Sequence, residues 1–356
     1  MPVTPTPKYE FELWINGAQV GDISRLAQSR RYTLTRNASE QLSFLMDLTA
    51  FEDYCAMLGS VPQAVLEADV TDIRVKRNGQ YYFGVQVKDM QYNLNQGGVN
   101  VEVRATGFLD LFADRYVTAN FDGDERVAIA QQLLALTQAG DASNDFDVTL
   151  GASQYDTGIT DTERNYVDQN VRDGLVNLTN LEDGNFDFKF NYDRTFETFG
   201  QIGSLRPQTK FTYPYNIKGG TVSHSALNLY NYIIGLGSGF GEETLRTETA
   251  DQISRDTYKT RQKIVSFNSV SVQQTLDENT SAYLQRVKNI LELPKFSISG
   301  ELADLNIIGI GDRVPVEVQG HPAIPLNGMY RIEQIDVTLD ENDAEDISIT
   351  VDNYGL

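Results

Sequence analysis

The stretch Ile73-Arg74-Val75-Lys76-Arg77-Asn78-Gly79-Gln80-Tyr81-Tyr82-Phe83-Gly84-Val85-Gln86-Val87 decides the fold class. Ile73 and Val75 alternate with Arg74 and Lys76, and Tyr81, Phe83, Val85 and Val87 alternate after the turn, which is the period of a half-buried strand. Between them Asn78-Gly79 supplies two residues that tolerate positive φ, so the spacing predicts a two-residue antiparallel hairpin. Further on, Met90, Tyr92 and Leu94 precede a Gln96-Gly97-Gly98 turn, and Val99, Val101, Val103 and Ala105 follow it. The antiparallel meander is expected to run to about residue 106. On the other side, Tyr9, Phe11, Leu13 and Ile15 alternate with Glu10, Glu12 and Trp14 as a first strand. Leu42, Phe44, Met46 and Leu48 continue the β pattern before a short helix through Phe51, Tyr54 and Leu58.

After Arg115 the period changes. Val127, Ala130, Leu133 and Leu134 have helical spacing behind Asp122 and Asp124, which suit a helix start. Val167, Val171, Leu175, Leu178 and Leu181 repeat every three or four residues until Asp183-Gly184 ends the pattern. Phe186, Phe188, Phe190 and Tyr192 then alternate with Asp187, Lys189 and Asn191 as a strand with an aromatic face. From Phe211 β patterning returns, interrupted by a Gly-rich turn, Gly235 to Gly241, and by a helix in which Leu284, Val287 and Leu291 share a face. Val314, Val316 and Val318 alternate, as do Tyr330 and Ile332. So do Ile335, Val337 and Leu339 and, after an acidic turn from Asp340 to Asp346, Ile347, Ile349 and Val351. The expected architecture is β-rich α+β. Residues 1–116 form an N-terminal β-barrel-like domain and 117–205 an α+β domain. Residues 206–356 form a C-terminal β-barrel-like domain with a helical insertion near 276–293.

The 356-residue chain has 29 basic and 50 acidic side chains, a formal net charge of −21. Such a chain repels phosphate backbones, which argues against sequence-specific nucleic-acid binding. Residues 1–110 carry 10 basic and 13 acidic side chains, 111–210 carry 8 and 17, and 211–356 carry 11 and 20, so the acidity belongs to the last two regions. The single cysteine, Cys55, excludes an internal disulfide and every motif built on Cys pairs, and reads as a small buried hydrophobe. Two histidines, His224 and His321, leave no multi-histidine metal site and read as surface or hydrogen-bonded residues. The segment from Met1 to Pro7 has neither a basic region nor an apolar stretch, and no run is long enough to span a bilayer. The sequence therefore reads as a soluble chain without a secretory address.

Chemical motifs are scarce. Gly235-Leu236-Gly237-Ser238-Gly239-Phe240-Gly241 has the composition of a phosphate cradle, but Glu242 and Glu243 follow it and repel phosphate, so it reads as a turn or bulge. Gly237-Ser238-Gly239 has the wrong spacing for a nucleophile elbow. Asp340, Glu341, Asp343, Glu345 and Asp346 offer oxygen ligands for calcium, yet lack the spacing and central glycine of an EF-hand loop, and read as a solvated hairpin tip. No catalytic, cofactor-binding or metal-binding residue is assigned. The 18 Tyr and 17 Phe are more aromatic surface than two small barrels need, and point to interfaces as well as core.

The order of these segments resembles the tail hub or baseplate hub proteins of bacteriophages, the minor tail proteins at the distal end of the tail tube, related to the hubs of contractile injection machines. The residues that carry the resemblance are Tyr32-Thr33-Leu34-Thr35-Arg36-Asn37 with Leu42-Ser43-Phe44, and Val101-Glu102-Val103-Arg104-Ala105 running into Leu111 and Arg115. Gly184-Asn185-Phe186-Asp187-Phe188, Leu236-Gly237-Ser238-Gly239 and Gly311-Asp312-Arg313-Val314-Pro315-Val316 complete it. The resemblance implies a non-enzymatic virion component at the phage tail tip, assembled in the host cytoplasm. It implies a homotrimer whose paired β-barrels form a pseudo-sixfold ring around a DNA ejection channel. The expected partners are the tail tube or distal tail protein, the tape measure protein and tip or fibre proteins. The homotypic interface should exceed about 2,000 Å². Two alternatives stand beside it. A receptor- or carbohydrate-binding tail component would group exposed aromatics in one groove. A carboxylate-dependent cell-wall glycan hydrolase would need two acids in a cleft, one with a raised pKa.

Overall fold

The Asn78-Gly79 hairpin forms as the sequence predicts. In the computed structural model Arg77 pairs with Gln80 across a loop in which Asn78 has φ 54° and Gly79 φ 76°, a combination that matches the strand twist and that glycine and asparagine adopt at little cost. The structure describes residues 6–161, 164–181, 185–239, 241–267, 270–299, 305–324 and 326–352.

Around the hairpin lie β1 (Tyr9–Ile15), β2 (Ala18–Asp22), β3 (Gln28–Thr35), β4 (Gln41–Asp47), β5 (Asp72–Arg77), β6 (Gln80–Asn95) and β7 (Gly98–Gly107), with helix α1 (Leu48–Met57) after β4. Asp47 caps α1, accepting from the Ala50 N–H at 2.8 Å, and Phe51 and Cys55 face the core. The segments expected as a hairpin strand and a following strand are one 16-residue strand, β6, with a bulge between Val87 and Asp89. Its far end projects past the core: Tyr92 and Leu94 are 53% and 83% exposed.

The middle region contains β8 (Tyr116–Phe121), β9 (Asp124–Glu125), α2 (Arg126–Gln138), β10 (Thr149–Leu150), β11 (Thr160–Asp161), β12 (Arg164–Asn170), α3 (Val171–Thr179), β13 (Asp187–Phe190) and β14 (Thr195–Phe199). Its own core joins Phe108, Phe112, Leu133, Leu175, Phe188 and Phe196. Two expectations are corrected. The cap of α2 is Glu125, which accepts from the Ala128 N–H at 2.9 Å, rather than Asp122 or Asp124. The helix expected from Val167 begins at Val171, because Asn170 caps it and residues 164–170 pair with β8 instead, leaving Val167 57% exposed. The expected stop at Asp183-Gly184 lies outside the described residues.

The last region holds β15 (Phe211–Tyr213), β16 (Ile217–Ser225), β17 (Tyr232–Leu236), β18 (Arg246–Ala250), α4 (Gln252–Tyr258), β19 (Gln262–Ser266), α5 (Gln273–Val287), β20 (Leu291–Ser299), β21 (Arg313–Val318), β22 (Asn327–Leu339) and β23 (Glu345–Asp352). The helical insertion is wider than 276–293 in content and ends earlier. It comprises α4, α5 and a small sheet ordered β18-β17-β19, and Leu291 opens β20 rather than closing the helix. The Gly-rich run is only partly a turn. Gly235 lies in β17, where an added Cβ would meet Thr280 Oγ1 of α5, so its lack of a side chain is what lets α5 lie on the sheet.

The large sheet runs β16-β20-β23-β22-β3-β4-β7-β6-β5-β1-β2, with β21 on β22 and β15 on β21. β22 makes it continuous. Asn327 to Arg331 pair with β21, and Gln334 to Thr338 pair with β3 of the N-terminal region. The bulge between Ile332 and Gln334 explains why buried residues shift from even to odd positions along this strand. One core cluster accordingly extends from Tyr9 and Phe11 to Ile349 and Val351. The β-rich α+β class stands, but strand pairing among the described residues closes neither β region into a barrel.

Candidate functional site

The acidic turn is a solvated tip only in part: Asp340, Glu341 and Asp346 are exposed, whereas Asp343 and Glu345 are tied to the strands. Asp343 accepts from Arg30 Nη1 at 2.6 Å and from the Tyr9 N–H at 3.1 Å, and Arg30 Nη2 reaches the Asp340 carbonyl at 2.5 Å. Glu345, its side chain only 4% exposed, accepts from Arg77 Nε at 2.7 Å, Arg77 Nη2 at 3.1 Å and the Tyr9 hydroxyl at 2.5 Å. The Tyr9 and Tyr32 hydroxyls are 2.7 Å apart, and burial with the neighbouring Glu345 carboxylate pushes the Tyr9 hydroxyl well above its ordinary pKa. These oxygens are therefore committed to strand-borne cations. Among the described residues no cluster of three His, Cys, Asp or Glu is placed to hold a metal.

A second junction lies where β3 ends. Arg36 Nε donates to both Glu333 carboxylate oxygens, at 3.0 and 2.8 Å, and its Nη1 donates to Asp187 at 2.6 Å. Asp187 also accepts from Asn37 Nδ2 and from the Ile202 N–H, at 2.9 and 2.7 Å. One arginine thus joins the N-terminal strands, the middle region and the C-terminal strands. Burial raises the Glu333 carboxyl above the ordinary carboxylate value even with Arg36 against it. Nearby, Arg194 holds Asp72 through two hydrogen bonds of 2.8 and 2.9 Å, and the Tyr81 and Tyr192 rings stack at 3.9 Å.

The other candidates are dispersed. Cys55 is fully buried in α1, and burial raises its thiol pKa. His321 follows the Gly320 turn with its ring 6.0 Å from that of Tyr213. The side chains of His224 and Glu242, and Phe240, lie outside what the structure describes. Exposed Tyr92, Tyr116 and Tyr215 sit on β6, β8 and the β15–β16 turn rather than in one groove.

Glu40, like Glu333 and Asp72, has the raised pKa that a hydrolase's acid would need, and Arg36 and Arg194 already occupy the other two. Burial pushes Glu40 up to about 7, with the Asp110 carboxylate adding to the rise. Its carboxyl lies over Gly107, whereas the cleft lined by Ser39, Asp110, Arg172 and Asp173 does not include it. Asp110 is meanwhile held by Ser39 Oγ at 2.7 Å and Arg172 at 3.3 Å. The two acids do not share an opening where a glycosidic bond could sit.

Glu40 has a consequence for stability. Its folded-state pKa of about 7 lies above the ordinary 4.5, so between these values the folded chain binds more protons than the unfolded one, and stability falls as pH rises through that window. The full cost, reached above pH 7, is about 3 kcal/mol. Glu40→Gln should therefore melt higher than the wild type at pH 8 and match it at pH 4.5. Parallel melting curves at the two pH values would refute this arrangement.

No family model matches the chain, and no curated protein matches it by sequence. Solved structures do. The chain is similar to the tail protein of Neisseria meningitidis MC58, with 11% identity over 98% of this chain and 97% of that one and a TM-score of 0.64. The 43 kDa tail protein of prophage MuSo2 from Shewanella oneidensis has 12% identity, 96% and 98% coverage and a TM-score of 0.64. The c3393 protein of E. coli, a type VI secretion component with structural similarity to T4 tail proteins gp27 and gp5, has 12% identity, 97% and 77% coverage and a TM-score of 0.53. The chain therefore has the fold of phage tail and baseplate-hub proteins, the family that its sequence resembles.

Proposed function

We propose that the chain is a structural component of a phage tail, a trimeric hub at the distal end of the tail tube. The observation that carries this is likeness from end to end: tail proteins of matching length are covered over 97% and 98% of their chains. The hub would link the tube or distal tail ring to tip or fibre proteins and form part of the DNA ejection channel. Its net charge of −21 supports passage of DNA, because an acidic wall does not hold phosphates. The role is non-enzymatic. Among the described residues no helix is long and apolar enough to cross a membrane.

The subunit mass is 39.8 kDa, so light scattering should give three times that, about 119 kDa, independent of dilution in the micromolar range. A strict monomer, also in the presence of the distal tail protein, would overturn the trimeric hub.

A further inference from the structure

The helical insertion is a unit of its own. Among the described residues its sheet, β18-β17-β19, shares no strand with the large sheet. Leu229, Ile233, Val270, Leu276, Ala282 and Leu284 are buried inside it and belong to neither of the two larger cores. The chain enters the insertion from β16 and leaves it into β20, two strands that pair up to Ser225 and Leu291, and β20 is in turn held by β23. At the two crossings residues 226–228 and 289–290 lie in neither helix nor strand, and Leu227 is 82% exposed. Two short irregular stretches side by side have the form of a hinge, in which a few element-terminal residues absorb a rotation that packed elements cannot.

The insertion meets the middle region through Glu278 of α5. Its carboxylate lies 3.6 Å from Arg164 Nη2 and 3.9 Å from Arg126 Nη2, and among the described residues these are the ion pairs that join the insertion to the rest of the chain. The arginine side chains are 4% and 2% exposed, that of Glu278 29%. Arg126 opens α2, so its charge stands at the positive end of the helix dipole, with Arg164 as a second cation facing the same carboxylate. Neither separation is that of a hydrogen bond. The contact is therefore Coulombic across a partly wetted gap, which favours one position of the insertion yet can be given up to water.

We infer that the insertion is an arm that turns about residues 226–228 and 289–290, and that Glu278 is the catch that seats it on the middle region. When the arm lifts, water takes the place of the carboxylate before Arg126 and Arg164. The arm itself moves as one piece, because α5 lies directly on Gly235 of its sheet. Seated and lifted positions differ mainly by this one contact, so their populations follow its strength. The inference does not depend on the trimeric hub.

Distances between spin labels, measured on the purified full chain carrying Cys55→Ala, read the position of the arm. One label goes on Asp256→Cys in α4 and the other on Leu136→Cys in α2, both exposed positions. A control pair, Leu136→Cys with the exposed Met57→Cys in α1, spans regions that stay in place. With Glu278 present the arm pair should give one narrow distance. Glu278→Lys, which brings a third cation to the catch, should move most of the population by about 5 Å or more. Glu278→Gln, which keeps the size and removes the charge, should move a smaller share, and it decides the matter alone where the lysine variant does not fold. Three results would overturn the inference. The arm distance could be the same with and without the Glu278 charge, which means the stalk fixes the arm unaided. It could already be broad with Glu278 present, which means nothing seats the arm. Or the control pair could shift with it, which means Glu278 holds the middle region together instead.

Discussion

Glu345→Ala should cost about 3–5 kcal/mol in urea unfolding, because it leaves the Arg77 guanidinium buried without its carboxylate. The Arg77 and Glu345 side chains are 6% and 4% exposed, and water cannot replace the lost partner. One further donor is stranded: the Tyr9 hydroxyl donates to Glu345, and with that acceptor gone only the mutual hydrogen bond with the buried Tyr32 hydroxyl is left to the pair. Glu345→Gln should cost less, since one carboxamide oxygen still accepts from Tyr9 and from Arg77. The pair Arg77→Met with Glu345→Leu should recover most of the loss, because replacing both charges removes the desolvation cost along with the attraction. A loss below about 1 kcal/mol for Glu345→Ala would show that this contact contributes no more than an exposed ion pair.

Local pattern made the Asn78-Gly79 hairpin legible, as it did the strand from Gln41 to Asp47 followed by α1. The bulge in β22 was also written in the sequence, as the change from Tyr330 and Ile332 to Ile335, Val337 and Leu339. What stayed hidden depends on partners distant in the chain. Arg77 and Glu345 are 268 residues apart and Arg36 and Asp187 are 151 apart, so no spacing rule could join them. Asp187 looked like the polar side of an aromatic strand, yet it is 3% exposed, because Arg36, Asn37 and the Ile202 amide supply all its donors. The only local sign of the acidic turn's role was its density of carboxylates, which equally describes a wet loop. β18 and β19 were missed for a related reason. Arg246-Thr247-Glu248-Thr249-Ala250 has no apolar face, and β19 joins β17 in parallel across β18 and α4, a pairing that no tight turn announces.

Asp187→Ala should be as damaging as the loss of Glu345, about 3–5 kcal/mol, but its signature should differ. The substitution strands three donors at one point, and one of them, Arg36, still faces Glu333. The N-terminal and C-terminal strands therefore stay coupled through Arg36 and through β22 on β3, while the middle region loses this one tie to both. Arg194 on Asp72, the Tyr81–Tyr192 stack, the Phe188 N–H on Asn37 Oδ1 and the Ser204 N–H on Asp312 are among the attachments that remain. Hydrogen exchange should quicken in the strand Asp187–Phe190 and around Ile202 before it quickens in β22 or β23. A double-mutant cycle with Arg36→Ala should return a coupling of about 2 kcal/mol or more between the two sites. Uniform loosening of the whole chain, or a coupling near zero, would mean that Asp187 acts only inside the middle region. A single arginine shared by all three regions ties them at one point.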